Sequence, residues 1–158
     1  MKDLPTAAVA ANIGVILFSE TVILFFQRFH ILTRGGRKPA VPRTWADNGD
    51  PLDVLVLCSE CIRPLSLVEC YPIGVITMED SGSLNEKIIA IPFEDPTYNT
   101  YQDISELPTH VANEIQYFFR VYKSLEGKEA VVSDVLSREE AIKIIIKCQN
   151  AYIEKYCR

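Results

Sequence analysis

An acidic turn running straight into an uninterrupted apolar strand constrains this chain more than any other feature. Asp47-Asn48-Gly49-Asp50-Pro51-Leu52-Asp53-Val54-Leu55-Val56-Leu57 places three carboxylates within seven residues. Gly49 and Pro51 supply the turn chemistry. The unbroken apolar run at 54–57 predicts a strand buried on both faces. Carboxylates gathered beside a core strand are costly unless cations neutralise them, and oxygen-only donors suit a hard ion such as Mg²⁺. The segment therefore reads as a metal-binding turn in preference to a solvated one.

The remainder of the chain has the punctuation of a small α+β domain. Leu67 to Tyr71 and Gly74 to Met78 read as strands separated by Pro72. Residues 79–86 read as a polar loop and 87–91 as a further strand. This hairpin-like order suggests a small barrel or a strongly curved sheet. Pro108 suits the first residue of a helix that carries Val111, Ile115, Phe118, Phe119 and Tyr122 at helical spacing. Gly127 suits its stop, and Val131 and Val132 suggest an edge strand. Ser137 and Glu140 have the spacing of a capping box, ahead of a final helix with Ala141, Ile145, Cys148 and Tyr152 on its buried face.

At 158 residues the chain has the length of one domain. A net charge of −5, with no basic patch interleaved with aromatics, gives no support for nucleic-acid binding. Cys58-Ser59-Glu60-Cys61 is a C-x-x-C without a second copy, and His30 and His110 are the chain's only histidines. Half a zinc site, a redox pair and plain thiols in a reducing compartment are the readings, the last being the simplest.

Composition changes near Pro39. Residues 7–26 are almost wholly apolar, interrupted by Asn12, Ser19, Glu20 and Thr21, and basic residues follow. Three readings stay open for residues 1–40: a membrane anchor with the rest of the chain in the cytoplasm, a buried core helix, or a replaced, truncated or mispredicted N-terminus. A helix protruding from the domain, or loosely laid on it, is the expected form.

The stretch "PRTWADNGDPLDVLVL" resembles the signature of the soluble family I inorganic pyrophosphatases, PRT-x-x-D-D-G-D-P-L-D-V-L-V. The likeness continues in order through Tyr71-Pro72-Ile73-Gly74-Val75, Lys87-Ile88-Ile89-Ala90-Ile91-Pro92 and Asp103-Ile104-Ser105-Glu106-Leu107-Pro108. It then runs through Phe118-Phe119-Arg120-Val121-Tyr122-Lys123-Ser124-Leu125-Glu126. It covers residues 41–158, and the C-terminal part looks closest to plant-type members. The resemblance implies an α+β fold, a small OB-like curved β-barrel flanked by two C-terminal helices and incomplete at its N-terminal strands. It implies Mg²⁺-dependent hydrolysis of pyrophosphate to two phosphates in the cytoplasm, and it allows a homo-oligomer. Asp50 would be the general base, Asp53 would bridge two metals, and Asp80 would bind another with the substrate. Lys87, Tyr122 and Lys123 match phosphate-binding positions.

Departures from the pattern bear on activity. Two carboxylate positions of the family's metal sites fall on Asn48 and Asn85. Asp47 and Glu86 each lie one residue away, but in extended backbone a one-residue shift turns a side chain to the other face. A unit charge pair about 4 Å apart is worth about 4 kcal/mol at an effective dielectric of about 20, so two lost charges should weaken the metal strongly. The family's upstream arginine, lysine, tyrosine and glutamates have no counterparts before Val41. Impaired diphosphate hydrolysis is the leading expectation. The alternatives are a catalytically inactive paralogue serving as a phosphate- or partner-binding module, and a membrane-tethered module if residues 7–26 form a genuine span.

Overall fold

The computed structural model describes residues 13–16, 29–30, 39–60, 62, 66–80, 83–125 and 131–157. In chain order these form β1 (Ile13–Ile16), β2 (Phe29–His30), β3 (Asp53–Leu57), β4 (Leu67–Asp80) and β5 (Ser83–Pro92). A 3-10 turn (Ile104–Glu106), α1 (Thr109–Leu125), β6 (Val131–Ser137) and α2 (Arg138–Tyr156) follow. The strands make one mixed sheet in the order β1-β4-β5-β3-β2, with β6 also paired to β4. β3 and β5 run parallel, and the other pairs are antiparallel. Among the described residues no pairing closes the sheet, so the expected barrel is an open sheet with two C-terminal helices.

Period-two alternation in the central strands builds two cores. Val54 and Val56 of β3 share one core with Ile88 and Ala90 of β5, against Ala141, Ile145 and Cys148 of α2. Leu55, Leu57, Ile89 and Ile91 belong to the other core, with Val111, Ile115 and Phe119 of α1. Both helices cover the sheet with stripes at i, i+4 spacing, the geometry of an apolar helix face. The parallel pair thus has apolar cover on each side, which is why its sequence is a continuous apolar run rather than an alternating one.

Four local expectations are corrected. Within residues 7–26 the described Ile13–Ile16 is a strand paired with Leu67–Cys70 of β4, not part of a helix. Short apolar runs do not distinguish the two by pattern, and the edge of β4 supplies backbone partners. The rest of that segment lies outside the described residues, and no helix among them is long and apolar enough to cross a membrane. Residues 67–80 form one strand rather than two, with Pro72 at a shift in register between Pro72 and Gly74. An irregular position tolerates a residue without an N–H.

At Gly74 an added Cβ would stand 2.8 Å from the Leu136 carbonyl of β6 and 3.0 Å from Ile104 Cβ, so the close approach of three elements requires glycine. The predicted polar loop over 79–86 is a hairpin, paired as far as Asp80 opposite Ser83. The buried Ile76 and Met78 of β4 carry the pairing into polar sequence.

The predicted Ser137 cap also gives way. Ser137 makes no capping side-chain hydrogen bond. Asp103 does this work from another segment, accepting from the Arg138 N–H at 2.8 Å and from the Ser105 N–H at 2.9 Å. One carboxylate therefore caps both the 3-10 turn and α2. Asp95 plays a similar part at the far end of β3. It is buried and accepts from Ser59 N–H (2.6 Å), Ser59 Oγ (2.9 Å), Thr97 N–H (2.9 Å) and Tyr98 N–H (2.9 Å).

Burial by itself would raise the Asp95 pKa, but these donors outweigh it and hold the carboxyl below its ordinary value. A depressed folded-state pKa contributes stability that is present above the unfolded value of about 3.9 and is lost as pH falls through the folded value. Asp95→Asn should therefore be less stable than the parent at pH 7, with the difference shrinking as pH falls below about 4. Urea unfolding at several pH values measures this.

Candidate functional site

The acidic turn is folded by its own backbone. Gly49, at φ +81°, donates to the Ala46 carbonyl at 3.0 Å, and the Ala46 N–H donates to the Asp50 carbonyl at 2.9 Å. The Asn48 side-chain oxygen accepts from the Asp50 N–H at 3.1 Å, closing an Asx turn. Thr44 braces the loop from inside: its hydroxyl donates to the Val41 carbonyl at 2.6 Å and accepts from the Leu52 N–H at 2.9 Å. Asn48 and Asp50 are left on the exposed rim.

Beyond the turn, strand register assembles the polar centre. Asp53 pairs with Lys87 across the parallel β3–β5 ladder, and Lys87 pairs with Ile76 of β4. Asn85 lies two residues before Lys87 and shares its face. The Lys87 ammonium donates to the Asp53 carboxylate and, at 3.2 Å, to the Asn85 side-chain oxygen. It also stands 5.7 Å from the centroid of the Phe119 ring on α1. The Asp53 and Lys87 side chains are 13% and 9% exposed, so this is a buried ion pair closed off by an aromatic ring.

Register thus brings Asp53, Asn85 and Lys87 together and leaves Asn48 and Asp50 on the adjoining turn. Asp80 ends β4 opposite Ser83, two residues beyond Met78, whose partner is Asn85. Tyr122 and Lys123 fall in the last turn of α1. The side chains of Asp80, Tyr122 and Lys123 lie outside the described residues.

The neighbouring acids do not enter this centre. Asp47 pairs with Lys147 of α2 at 2.5 Å. Glu86 lies on the α2 side as well: burial raises its pKa, Lys147 lowers it and Asp47 raises it. Sequence reasoning missed Lys147, for which the chain carried no local signal. The nearness of Phe119 was missed too, although its place in the stripe with Val111 and Ile115 was a usable one.

Cys58, Cys70 and Cys148 are buried packing residues, and Cys157 is exposed. Cys58 Sγ donates to the Glu60 carbonyl at 3.1 Å, and Cys61 lies outside the described residues. Burial, reinforced by Cys58, pushes the Cys70 thiol up to about 12, and burial pushes Cys148 up to about 11. Such thiols stay protonated at neutral pH and are inert. Among the described residues no three His, Cys, Asp or Glu side chains gather as a metal-binding set.

The sheet carries a helix on each face and an Asp–Lys pair at its centre. A structure of inorganic pyrophosphatase from Helicobacter pylori superposes with a TM-score of 0.74 at 28% identity, covering 96% of this chain and 99% of that one. The Thermus thermophilus inorganic pyrophosphatase structure gives 0.68 at 36% identity, over 72% of this chain and 67% of that one. The chain belongs to the inorganic pyrophosphatase family, whose model matches residues 24–153.

It is 47% identical over 116 residues to soluble inorganic pyrophosphatase 2 of Chlamydomonas reinhardtii, covering 73% of this chain and 60% of that protein. It is 42% identical over 114 residues to soluble inorganic pyrophosphatase 1 of Arabidopsis thaliana, covering 72% and 54%. The chain therefore spans a little over half the length of these relatives.

Replacing Lys87 by Met should take the ammonium away from a carboxylate that is only 13% exposed. Breaking a buried pair from one side costs about 3–5 kcal/mol. Denaturant unfolding in the presence of a chelator should show a loss of about 3 kcal/mol, and a loss under about 1 kcal/mol would mean that the pair is solvated.

Proposed function

We propose that this chain is a Mg²⁺-dependent inorganic diphosphatase of low turnover. The observation that carries the reading is the convergence of Asp53, Asn85 and Lys87 beside the turn that holds Asp50. Membership of the family supports the substrate, pyrophosphate.

The donor set fits a hard divalent ion. Its atoms are carboxylate and amide oxygens, and a cation, the Lys87 ammonium, already rests against two of them. Asp53, Asp80 and the amide oxygens of Asn48 and Asn85 would hold the metal. When bound, Mg²⁺ would neutralise phosphoryl charge and make a water nucleophilic near neutral pH.

The chain's own groups have complementary tasks. Asp50, on the exposed rim, takes the proton of the attacking water as its oxygen bonds to phosphorus and the bridging P–O bond breaks. Lys87 changes partner, from Asp53 toward a phosphate oxygen, and with Tyr122 and Lys123 stabilises the departing phosphate. The ring of Phe119 limits water around that ammonium and strengthens its field.

Low turnover follows from charge. Asn48 and Asn85 bring oxygen without negative charge, and the Asn48 oxygen is already engaged by the Asp50 N–H. Phosphate release at millimolar Mg²⁺ should exceed that of Asp50→Asn yet stay below about 1 s⁻¹, the lower end of the usual enzyme range. Release equal to that of Asp50→Asn, with pyrophosphate still bound, would instead make the chain a phosphate-binding module.

Asn48→Asp with Asn85→Asp should tighten Mg²⁺ by at least about tenfold, since each restored charge is worth more than the 1.4 kcal/mol that a factor of ten requires. Calorimetric titration of the two forms is the check, and equal affinities would remove these positions from the metal site.

A further inference from the structure

The acidic turn closes on its own hydrogen bonds, but residues 47–50 are all exposed, so contacts outside the turn must fix where it points. Trp45, the chain's single tryptophan, supplies them. Its N–H donates to the Cys148 carbonyl of α2 at 2.9 Å. Its ring reaches the turn, where a Cβ added at Gly49 would lie 4.0 Å from Trp45 Cζ2. The last turns of α2 close on the same ring. Lys155 Nζ stands 3.4 Å from its centroid, Tyr156 meets it edge-on at 5.5 Å, and Tyr152 packs against Tyr156 at 5.0 Å. Cys148, Tyr152, Lys155 and Tyr156 recur at the spacing of one helix face. One stripe of α2 therefore grips one residue at the root of the turn.

On the reading of Asp50 as the general base, we propose that Trp45 is a positioning residue, which anchors the acidic turn to α2 and so holds Asp50 in place for the attacking water. The link is short. Ala46, next to Trp45 in the chain, donates its N–H to the Asp50 carbonyl at 2.9 Å, so a shift at Trp45 passes to Asp50 through one peptide unit. A general base works only within hydrogen-bond reach of the proton it takes. Misplacement by about 1 Å can cost about 10²-fold in rate. Substrate is met by other side chains, so loosening the anchor should lower kcat and leave KM alone.

Hydrogen exchange over residues 44–52 of the full chain, read beside steady-state phosphate release, tests the anchor and its consequence separately. Lys155→Met keeps the aliphatic stem and removes the cation from the ring. Exchange over 44–52 should quicken about threefold, the scale of a lost cation–π contact at an exposed site, and kcat should fall with KM unchanged. Trp45→Leu removes the ring without altering charge and should move exchange and kcat further in the same directions, with kcat down about tenfold or more. Trp45→Phe keeps a ring and should recover most of both. Lys143→Met breaks an exposed pair with Glu140 at the far end of α2 and should change neither.

Circular dichroism checks that each variant is folded, and should Trp45→Leu not fold, Lys155→Met carries the test. Three results overturn the positioning role alone: unchanged exchange in Lys155→Met or Trp45→Leu, faster exchange with unchanged kcat, or equal losses in Lys143→Met. A parent chain no faster than Asp50→Asn overturns the catalytic reading, and the positioning role with it.

Discussion

The site depends on β3 and β5 running in the same direction with Asp53 opposite Lys87. Two charges with little exposure are expensive to desolvate, and their mutual attraction offsets that cost only if the geometry is held. The apolar residues flanking them hold it: Leu55 and Ile89 on one face, Val54 and Ile88 on the other, all buried. A slip of one residue in this ladder would send Asp53 toward α2 and bury it in the aliphatic core there. The register that makes the core and the register that makes the polar centre are the same register.

The sheet separates two groups of acids. Asp53 faces α1 with Lys87 and Phe119, while Asp47 and Glu86 face α2 and Lys147. An acid one residue along β5 is therefore turned away from the Asp53–Lys87 centre. A helix close to the site in space and remote from it in sequence has become part of its support, joined through Asp47 and the backbone of Trp45.

Much of this was legible in the sequence. The continuous apolar run announced a strand covered on both faces, and the stripes of α1 and α2 were visible at helical spacing. Ala141, Ile145 and Cys148 lie in the core as expected, while Tyr152, expected on the same face, is half-buried and packs against Tyr156. The face reversal at Glu86 followed from period-two geometry, whereas Asp47 lies on a turn, where that rule does not apply. The extent of the hairpin was hidden because residues 79–86 are polar, and its pairing is driven by Ile76 and Met78 in the strand before it. The cap of α2 was hidden because Asp103 is distant in sequence, and a local box at Ser137 carried the stronger pattern. The pairing of Ile13–Ile16 was hidden because an apolar stretch does not say which sheet edge it will meet.

The Asx turn at Asn48 uses one side-chain oxygen to hold the Asp50 N–H. Aspartate and asparagine present that oxygen at the same place, so exchanging them changes the charge of the loop without changing the bond that shapes it. Backbone form and electric field are separable at this position. A single exchange at this position can therefore alter the charge that the loop presents to its surroundings while the loop retains its shape.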